Sequence, residues 1–229
     1  MENYLNNFLF TYLPHIAFAV FWFGVITRFI NANKSIQAQS SQLLADKKVK
    51  LGSNLFHIGI FAVLLGHFTL FLPEQWYHHF MTTETKRMIA LLSGTFFGTM
   101  ALAGMVILTI RRTSNARVRF NSRFQDYFII LLLVVEALLG LSSITATAAG
   151  TVAEYASLGQ WALKVITFQP DAGALLATHS ILYKIHIVVG LFIIMIFPYT
   201  KLMHMLVFPF VYFFRTGYQL VRKSAWEKQ

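Results

Sequence analysis

Five long apolar stretches run along the chain, separated by polar or charged segments. A helix that crosses a bilayer needs roughly 20 mostly apolar residues. Lipid offers no partner for backbone N–H and C=O groups, and the long unbroken apolar pattern does not resemble the alternating strands of a barrel. We therefore predict an all-α integral membrane bundle of five helices in one domain, 1–229, with spans over 8–30, 55–72, 88–110, 127–148 and 182–207 and a C-terminal tail over 208–229.

The composition agrees with a membrane protein. The 229 residues are 56% hydrophobic and 12% charged, which is less polar surface than a soluble domain of this size needs. The first apolar run lacks a basic leader and a small-residue cleavage site, so we expect it to be a retained span. The chain has no cysteine, which excludes disulfides, thioether-attached haem and a cysteine-ligated iron–sulfur cluster within this polypeptide. Any such cluster must belong to a partner.

The basic residues predict the orientation of the bundle. Lys and Arg cluster before the second span, after the third span and in the tail, whereas the opposite side has only Lys86, Arg87, Lys164 and Lys184. The positive-inside rule therefore places the N-terminus in the periplasm and the C-terminus in the cytoplasm. The chain has a net charge of +10. Its basic residues border the spans and form no recognition motif, so we expect them to bind anionic lipid and an acidic docking partner rather than nucleic acid. Segment 34–50 is either a short amphipathic helix at the cytoplasmic face or a solvated loop.

Four of the eight histidines lie inside apolar spans, two on the second and two on the fifth. A single intramembrane histidine is as well explained by a hydrogen bond across helices as by ligation, but two on each of two helices favour ligation. Because these two spans run in opposite directions, His57 pairs with His204 toward the cytoplasm and His67 with His186 toward the periplasm. A neutral imidazole is a good iron ligand, and each pair could hold a haem edge-on in the bundle core.

Helical geometry supports this pairing only in part. On one straight helix, His186 and His204 are about 27 Å and about five turns apart, so they share a face. His57 and His67 are about 15 Å apart and point in directions that differ by about 80°. We expect a kink at Pro198 to re-aim His204. The other histidines, His15, His78, His79 and His179, are weaker candidates for direct function.

Smaller signals accompany the histidines. Gly66 and Gly190 border His67 and His186, and they either admit a macrocycle or let helices pack. Arg112, beside Arg111, either pairs with haem propionates or lies there because of the positive-inside rule.

The sequence around these histidines resembles the gamma subunit family of membrane-bound respiratory nitrate reductases. The resemblance is carried by Ser53-Asn54-Leu55-Phe56-His57-Ile58-Gly59-Ile60 and Gly66-His67-Phe68, and it continues through Lys86, Val165-Ile166-Thr167-Phe168, Ile185-His186, Phe197-Pro198, His204 and Tyr218-Gln219-Leu220-Val221-Arg222. It implies two bis-histidine b haems, one on His57 and His204 and one on His67 and His186. It also implies that quinol is oxidised near the outer haem. Electrons then pass to an iron–sulfur beta subunit and a molybdenum-containing alpha subunit that reduces nitrate, both on the cytoplasmic side of the bacterial inner membrane.

The resemblance also indicates where quinol binds. Lys86, just before the third span, matches the family and is the candidate donor to a quinol oxygen, with Gly66 as its neighbour. The alternative for Lys86 is an interfacial lysine that reaches toward the headgroups. Whether the substrate is menaquinol or ubiquinol stays open.

Three other functions remain possible at this stage. The chain could be the cytochrome b subunit of another quinone-linked complex, such as a hydrogenase, a formate dehydrogenase or a sulfur-respiration enzyme. A transporter that uses intramembrane histidines would show repeated halves, broken helices or several buried carboxylates, and only Glu136 lies deep within a predicted span. A haem-free scaffold would leave four intramembrane imidazoles without a role.

Overall fold

The computed structural model describes residues 2–32, residue 36 and residues 49–206. In these ranges the chain forms nine α-helices and no strand: α1 Glu2–Asn7, α2 Leu13–Ala32, α3 Val49–Phe68, α4 Glu74–Tyr77, α5 Thr83–Ser114, α6 Ala116–Phe120, α7 Phe124–Ala149, α8 Val152–Ile166 and α9 Ile181–Ile196. A π-helical segment, Phe8–Tyr12, joins α1 to α2, and the 3-10 segments are Thr69–Phe71, Ala172–Leu176, Phe197–Tyr199 and Lys201–Leu206. The predicted tail over 208–229 and most of segment 34–50 lie outside the described residues.

Five helical stretches of the described chain are long and apolar enough to cross a bilayer: Tyr4–Ala32, Val49–Phe71, Thr83–Ser114, Phe124–Ala149 and Ile181–Tyr199. The prediction of an all-helical protein with five spans is therefore confirmed. Helix α3 packs on α5, α5 on α7, α7 on α9, and α9 on α2. We call the end of the bundle that carries α4 and α8 the α8 end, and the opposite end the α6 end.

Glycines bring α3 and α5 into backbone contact. A Cβ atom added at Gly59 would lie 2.6 Å from the backbone nitrogen of Ala101, and one at Gly104 would collide with the backbone of Phe56. Contacts this close are possible only without a side chain. Because Gly59 meets Ala101 whereas Phe56, earlier on α3, meets the later residue Gly104, the two helices are antiparallel.

The fifth span breaks at Pro198. Helix α9 ends at Ile196, and His204 lies in the 3-10 segment Lys201–Leu206. The prediction of one helix over 182–207 that carries His186 and His204 on a single face is therefore wrong. The expected kink at Pro198 is instead an end of the helix, followed by two 3-10 segments. Proline lacks the N–H that would continue the helix. Arg28 of α2 satisfies carbonyls at the break by donating to the oxygens of Pro198, at 2.6 Å, and Thr200, at 3.3 Å.

Helix α8 lies between the fourth and fifth predicted spans, where no helix was predicted. It starts with a capping box, in which the Thr151 hydroxyl accepts from the Glu154 N–H and the Glu154 carboxylate accepts from the Thr151 N–H. Leu158 then packs with Phe10 and Leu176 in a buried cluster. Helix α8 thus packs at the α8 end of the bundle against the π-helical segment and the 3-10 segment Ala172–Leu176.

Candidate functional site

The structure brings the four histidines of the predicted second and fifth spans together in two pairs. The ring centroids of His57 and His204 are 6.3 Å apart, and those of His67 and His186 are 6.0 Å apart. An imidazole nitrogen binds a transition metal at about 2.1 Å, so two imidazoles on opposite sides of one metal have centroids roughly 6.4 Å apart. Both pairs therefore have the spacing of two rings that share one metal atom.

Three of the four rings are held by a backbone carbonyl in the preceding turn. The bonds from Nδ1 run from His57 to Ser53 O at 2.7 Å, from His67 to Val63 O at 2.8 Å and from His204 to Lys201 O at 2.5 Å. A carbonyl oxygen only accepts, so Nδ1 must carry the hydrogen in each ring. The lone pair of each neutral ring is then on Nε2, which is the arrangement found in metal-bound histidines.

His186 is held differently. Its Nδ1 lies 3.0 Å from Oε1 of Glu136 on α7, although the contact does not have the angles of an aligned hydrogen bond. In the sequence, Glu136 stands out only as a carboxyl group deep within a predicted span, and nothing there connects it with a histidine. The available signal was its position, because a carboxyl group within an apolar span needs a polar partner.

The donor set fits haem better than a free metal ion. Within the described ranges, no group of three or more His, Cys, Asp or Glu side chains could hold a metal ion. A structural or catalytic zinc ion takes three or four protein ligands, whereas a macrocycle supplies most ligands of a haem iron and leaves only the axial positions. Two facing imidazoles match those axial positions, and the Nε2 lone pair is free in His57, His67 and His204.

The glycines near the histidines have different roles. A Cβ at Gly66 would meet nothing within 4 Å, so helix packing does not require a glycine there. A Cβ at Gly190 would lie 2.9 Å from Oε1 of Glu136, and one at Gly140 would lie 3.2 Å from Cε1 of His186. Gly190 therefore makes room for the Glu136 carboxyl group, and Gly140, which the sequence analysis did not single out, makes room for the His186 ring.

Lys86 lies at the α8 end and contacts the turn that follows His67. Its Nζ donates to the carbonyl of Thr69 at 2.9 Å and lies 4.0 Å from the centroid of the Tyr77 ring. The Thr69 hydroxyl donates in turn to the carbonyl of Gly66 at 2.6 Å. Lys86 thus links the start of α5 to the turn that follows His67, and it is half-buried rather than extended into solvent.

Lys86 also lines a small cavity between α5 and α8. The cavity has a volume of about 20 Å³, room for a water-sized group, and its other lining residues include Leu70, Leu72, Glu74, Tyr77, Tyr155 and Gln160. Burial raises the pKa of Tyr155 to about 12 and also raises the pKa of Tyr77. Both phenols therefore keep their hydrogen at neutral pH and can donate it to a hydrogen bond.

Arg112 belongs to an ionic cluster at the α6 end. Its guanidinium lies 3.3 Å from Asp126 Oδ2 and donates to the Ser122 hydroxyl at 2.8 Å, while the Lys201 ammonium lies 2.5 Å from Asp126 Oδ1. Asp126 is only 5% exposed, and its Oδ2 also accepts from the backbone N–H of Arg123. The cluster joins α5, α7 and the 3-10 segment that carries His204. Sequence reasoning missed Asp126.

The remaining described histidine contacts are at the α8 end. Both ring nitrogens of His15 lie near carbonyl oxygens, Nδ1 2.6 Å from Thr11 and Nε2 2.9 Å from Val165. Nε2 of His179 lies 3.1 Å from the Glu154 carbonyl, and Nε2 of His78 lies 2.9 Å from the Thr83 hydroxyl. These rings connect helices and loops, and none of them joins the two facing pairs.

Comparison with known proteins gives a consistent result. The sequence model of the family described as nitrate reductase gamma subunit matches residues 6–224. The chain is 35% identical to the respiratory nitrate reductase 2 gamma chain of Escherichia coli (strain K12), over 97% of this chain and 99% of that one. It is 37% identical to the respiratory nitrate reductase 1 gamma chain of the same strain, over 96% and 98%. It is 32% identical to the nitrate reductase gamma chain of Bacillus subtilis (strain 168), over 93% and 96%.

The ionic cluster yields a stability prediction. Asp126→Asn leaves Lys201 and Arg112 without their shared anion, so we expect a loss on the order of 3 kcal/mol, seen as a lower midpoint of thermal unfolding in detergent. Glu84→Gln is the matched control, because Glu84 also lies in the first turn of a long helix but is exposed. We expect that control to change the midpoint little. Equal midpoints for the two variants would show that the cluster does not hold the α6 end together.

Proposed function

Because the chain belongs to the nitrate reductase gamma subunit family, we propose that it oxidises quinol in the membrane and passes the electrons to partner subunits that reduce nitrate. The observation that carries this proposal is the pair of facing imidazole pairs, each at the spacing of two axial ligands. Family membership itself supports a membrane subunit of a nitrate reductase complex, and the histidine geometry supports the electron-transfer role.

In this proposal His57 and His204 hold one b haem, and His67 and His186 hold a second. A b haem with two axial imidazoles supplies reversible one-electron transfer. The protein's part is to orient the rings. Carbonyl oxygens accept the Nδ1 hydrogen of three histidines, and Glu136 lies against the fourth, so each Nε2 is left for the iron.

Quinol would be bound beside the outer pair, at Lys86. The ammonium group of Lys86 is a strong donor to a quinol oxygen, and it already contacts the turn after His67. The cavity of about 20 Å³ beside Lys86 is smaller than a quinol ring. Binding therefore requires the Lys86 side chain to leave the Thr69 carbonyl and turn toward the substrate. The space beside Gly66, the residue before His67, is also open, since a Cβ there would meet nothing within 4 Å.

The basic residues support an orientation with the α6 end in the cytoplasm. Five arginines lie at or near that end: Arg111, Arg112, Arg117, Arg119 and Arg123. By the positive-inside rule, the N-terminus is periplasmic and the C-terminus cytoplasmic, in the bacterial inner membrane. The iron–sulfur beta subunit and the molybdenum-containing alpha subunit would then dock at the α6 end, where anionic lipid also meets the arginines. Quinol oxidation at the α8 end would release protons to the periplasm while electrons move inward.

The transporter alternative gains one feature from the structure, the broken helix at Pro198. Against it, the chain matches relatives named as nitrate reductase gamma chains, and the matches cover nearly the whole length of each relative. In addition, His57, His67 and His204 donate from Nδ1 to carbonyl oxygens, which leaves the Nε2 lone pair of these three rings free. A site for axial ligation explains this arrangement, and a transport path does not.

The outer pair can be tested by removing one ring. We expect His67→Ala to lose the outer haem and quinol-driven nitrate reduction, because one imidazole remains where two are needed. An artificial donor that feeds the partner subunits directly should still drive nitrate reduction. Haem content of the purified complex and the two activities are the measurements. The control is His79→Ala, an exposed histidine of the same end, which should keep both haems. Full haem content in His67→Ala would contradict the ligand assignment.

Lys86 can be tested separately from the haems. Lys86→Ala should keep both haems but lower kcat/KM for quinol roughly ten- to hundredfold, the effect of losing one hydrogen bond from a charged donor. The control is Lys184→Ala, since Lys184 also donates to a loop carbonyl at the α8 end, that of Ala177, but lies outside the cavity. A similar loss in both variants would mean that Lys86 acts through general charge rather than through contact with quinol.

A further inference from the structure

Glu136 is a carboxyl group in the middle of an apolar helix. Its side chain is 18% exposed, and the nearest charged or titratable group is the His186 ring, with Nδ1 at 3.0 Å from Oε1. Its second oxygen, Oε2, is buried and has no hydrogen-bond partner among the described residues. A charged side chain within a bilayer is unfavourable unless a partner compensates it. The contact with His186 is therefore the interaction that explains its presence.

Two glycines shape this contact from opposite sides. Gly190 lies one turn after His186 on α9, and a Cβ there would come within 2.9 Å of Glu136 Oε1. Gly140 lies one turn after Glu136 on α7, and a Cβ there would come within 3.2 Å of the His186 ring. Each helix thus has a glycine at the point where the polar side chain of the other helix lies against it. The arrangement lets the carboxyl group and the ring approach to hydrogen-bond distance.

The group that faces Nδ1 of His186, at 3.0 Å, is a carboxyl group, whereas the groups that face Nδ1 of the other three rings are backbone carbonyls. His57, His67 and His204 donate from Nδ1 to neutral backbone carbonyls. A carboxylate in that position draws the Nδ1 hydrogen more strongly, makes Nε2 more basic and places negative charge close to the metal. Both effects favour the oxidised, more positive state of an iron bound at Nε2.

We infer that Glu136 is a positioning residue for His186, which accepts its Nδ1 hydrogen, keeps Nε2 directed at His67 and lowers the redox potential of the haem that this pair holds. The inference rests on the proposed two-haem function and deepens it. It assigns a purpose to the one deep carboxyl group of the described spans and to both glycines that border it. Within residues 49–206, no carboxyl group forms an ion pair with His57 or His204, so the haem proposed there serves as an internal reference.

The test is a redox titration of the purified complex, followed by haem absorbance and by the low-spin signals in electron paramagnetic resonance. Glu136→Gln keeps an acceptor oxygen but removes the charge. We expect full haem content, a higher midpoint potential for the outer haem and an unchanged potential for the other. Glu136→Asp keeps the charge and should stay closer to the unaltered potential than Glu136→Gln. Glu136→Leu removes the acceptor and should alter the outer low-spin signal or lower its occupancy.

A control variant and three outcomes make the test decisive. Glu154→Gln, a carboxyl group of the same end that caps α8, should leave both potentials unchanged. Full haem content with no change of the outer potential in Glu136→Gln would overturn the inference and leave the proposed function standing. A larger shift in Glu136→Asp than in Glu136→Gln would also overturn it, because the effect would then follow side-chain length. If the unaltered complex contains no b haem, the proposed function fails as well.

Discussion

The structure depends on one requirement, that the Nδ1–H of an imidazole in an apolar helix needs a hydrogen-bond acceptor, because that bond fixes the tautomer and the direction of Nε2. The helix backbone meets this requirement locally, because the carbonyl one turn back is within reach of His57 and His67. It cannot by itself place two rings opposite each other. The packing order α3, α5, α7, α9 does so by carrying the chain around until His186 of α9 faces His67, and His204 of the following 3-10 segment faces His57.

The break at Pro198 and the contacts around it complete the second pair. After α9 ends, His204 depends on a short 3-10 segment, which has few backbone hydrogen bonds of its own. Arg28 holds the start of that segment from α2, and Lys201 ties it to Asp126 on α7. Residues far apart in the sequence therefore fix the position of a ring that its own helix no longer holds. The His186 ring, in contrast, sits in the regular part of α9 and is adjusted by a single side chain, Glu136.

The sequence predicted the features that follow from periodicity and chain direction. Apolar length gave the five spans, and antiparallel order gave the pairing of His57 with His204 and of His67 with His186, which the ring distances show side by side. Ligation itself stays a prediction. Pro198 also predicted a disturbance of the fifth helix. Because a proline can bend a helix as well as end it, the prediction was a kinked helix that continued through His204. Helix α8 was missed although its capping box was readable. The partners of Glu136 and Asp126 could not be read at all, because they come from tertiary packing between helices.

The central claim is that this chain holds two b haems between its histidine pairs and oxidises quinol. The most direct measurement is a reduced-minus-oxidised absorbance spectrum of the purified complex, with haem quantified per chain, followed by reduction with a quinol analogue and addition of nitrate. The account predicts about two b haems per chain, one for each pair of axial imidazoles, that quinol reduces and nitrate reoxidises. A complex without haem, or with haems that quinol does not reduce, would contradict it.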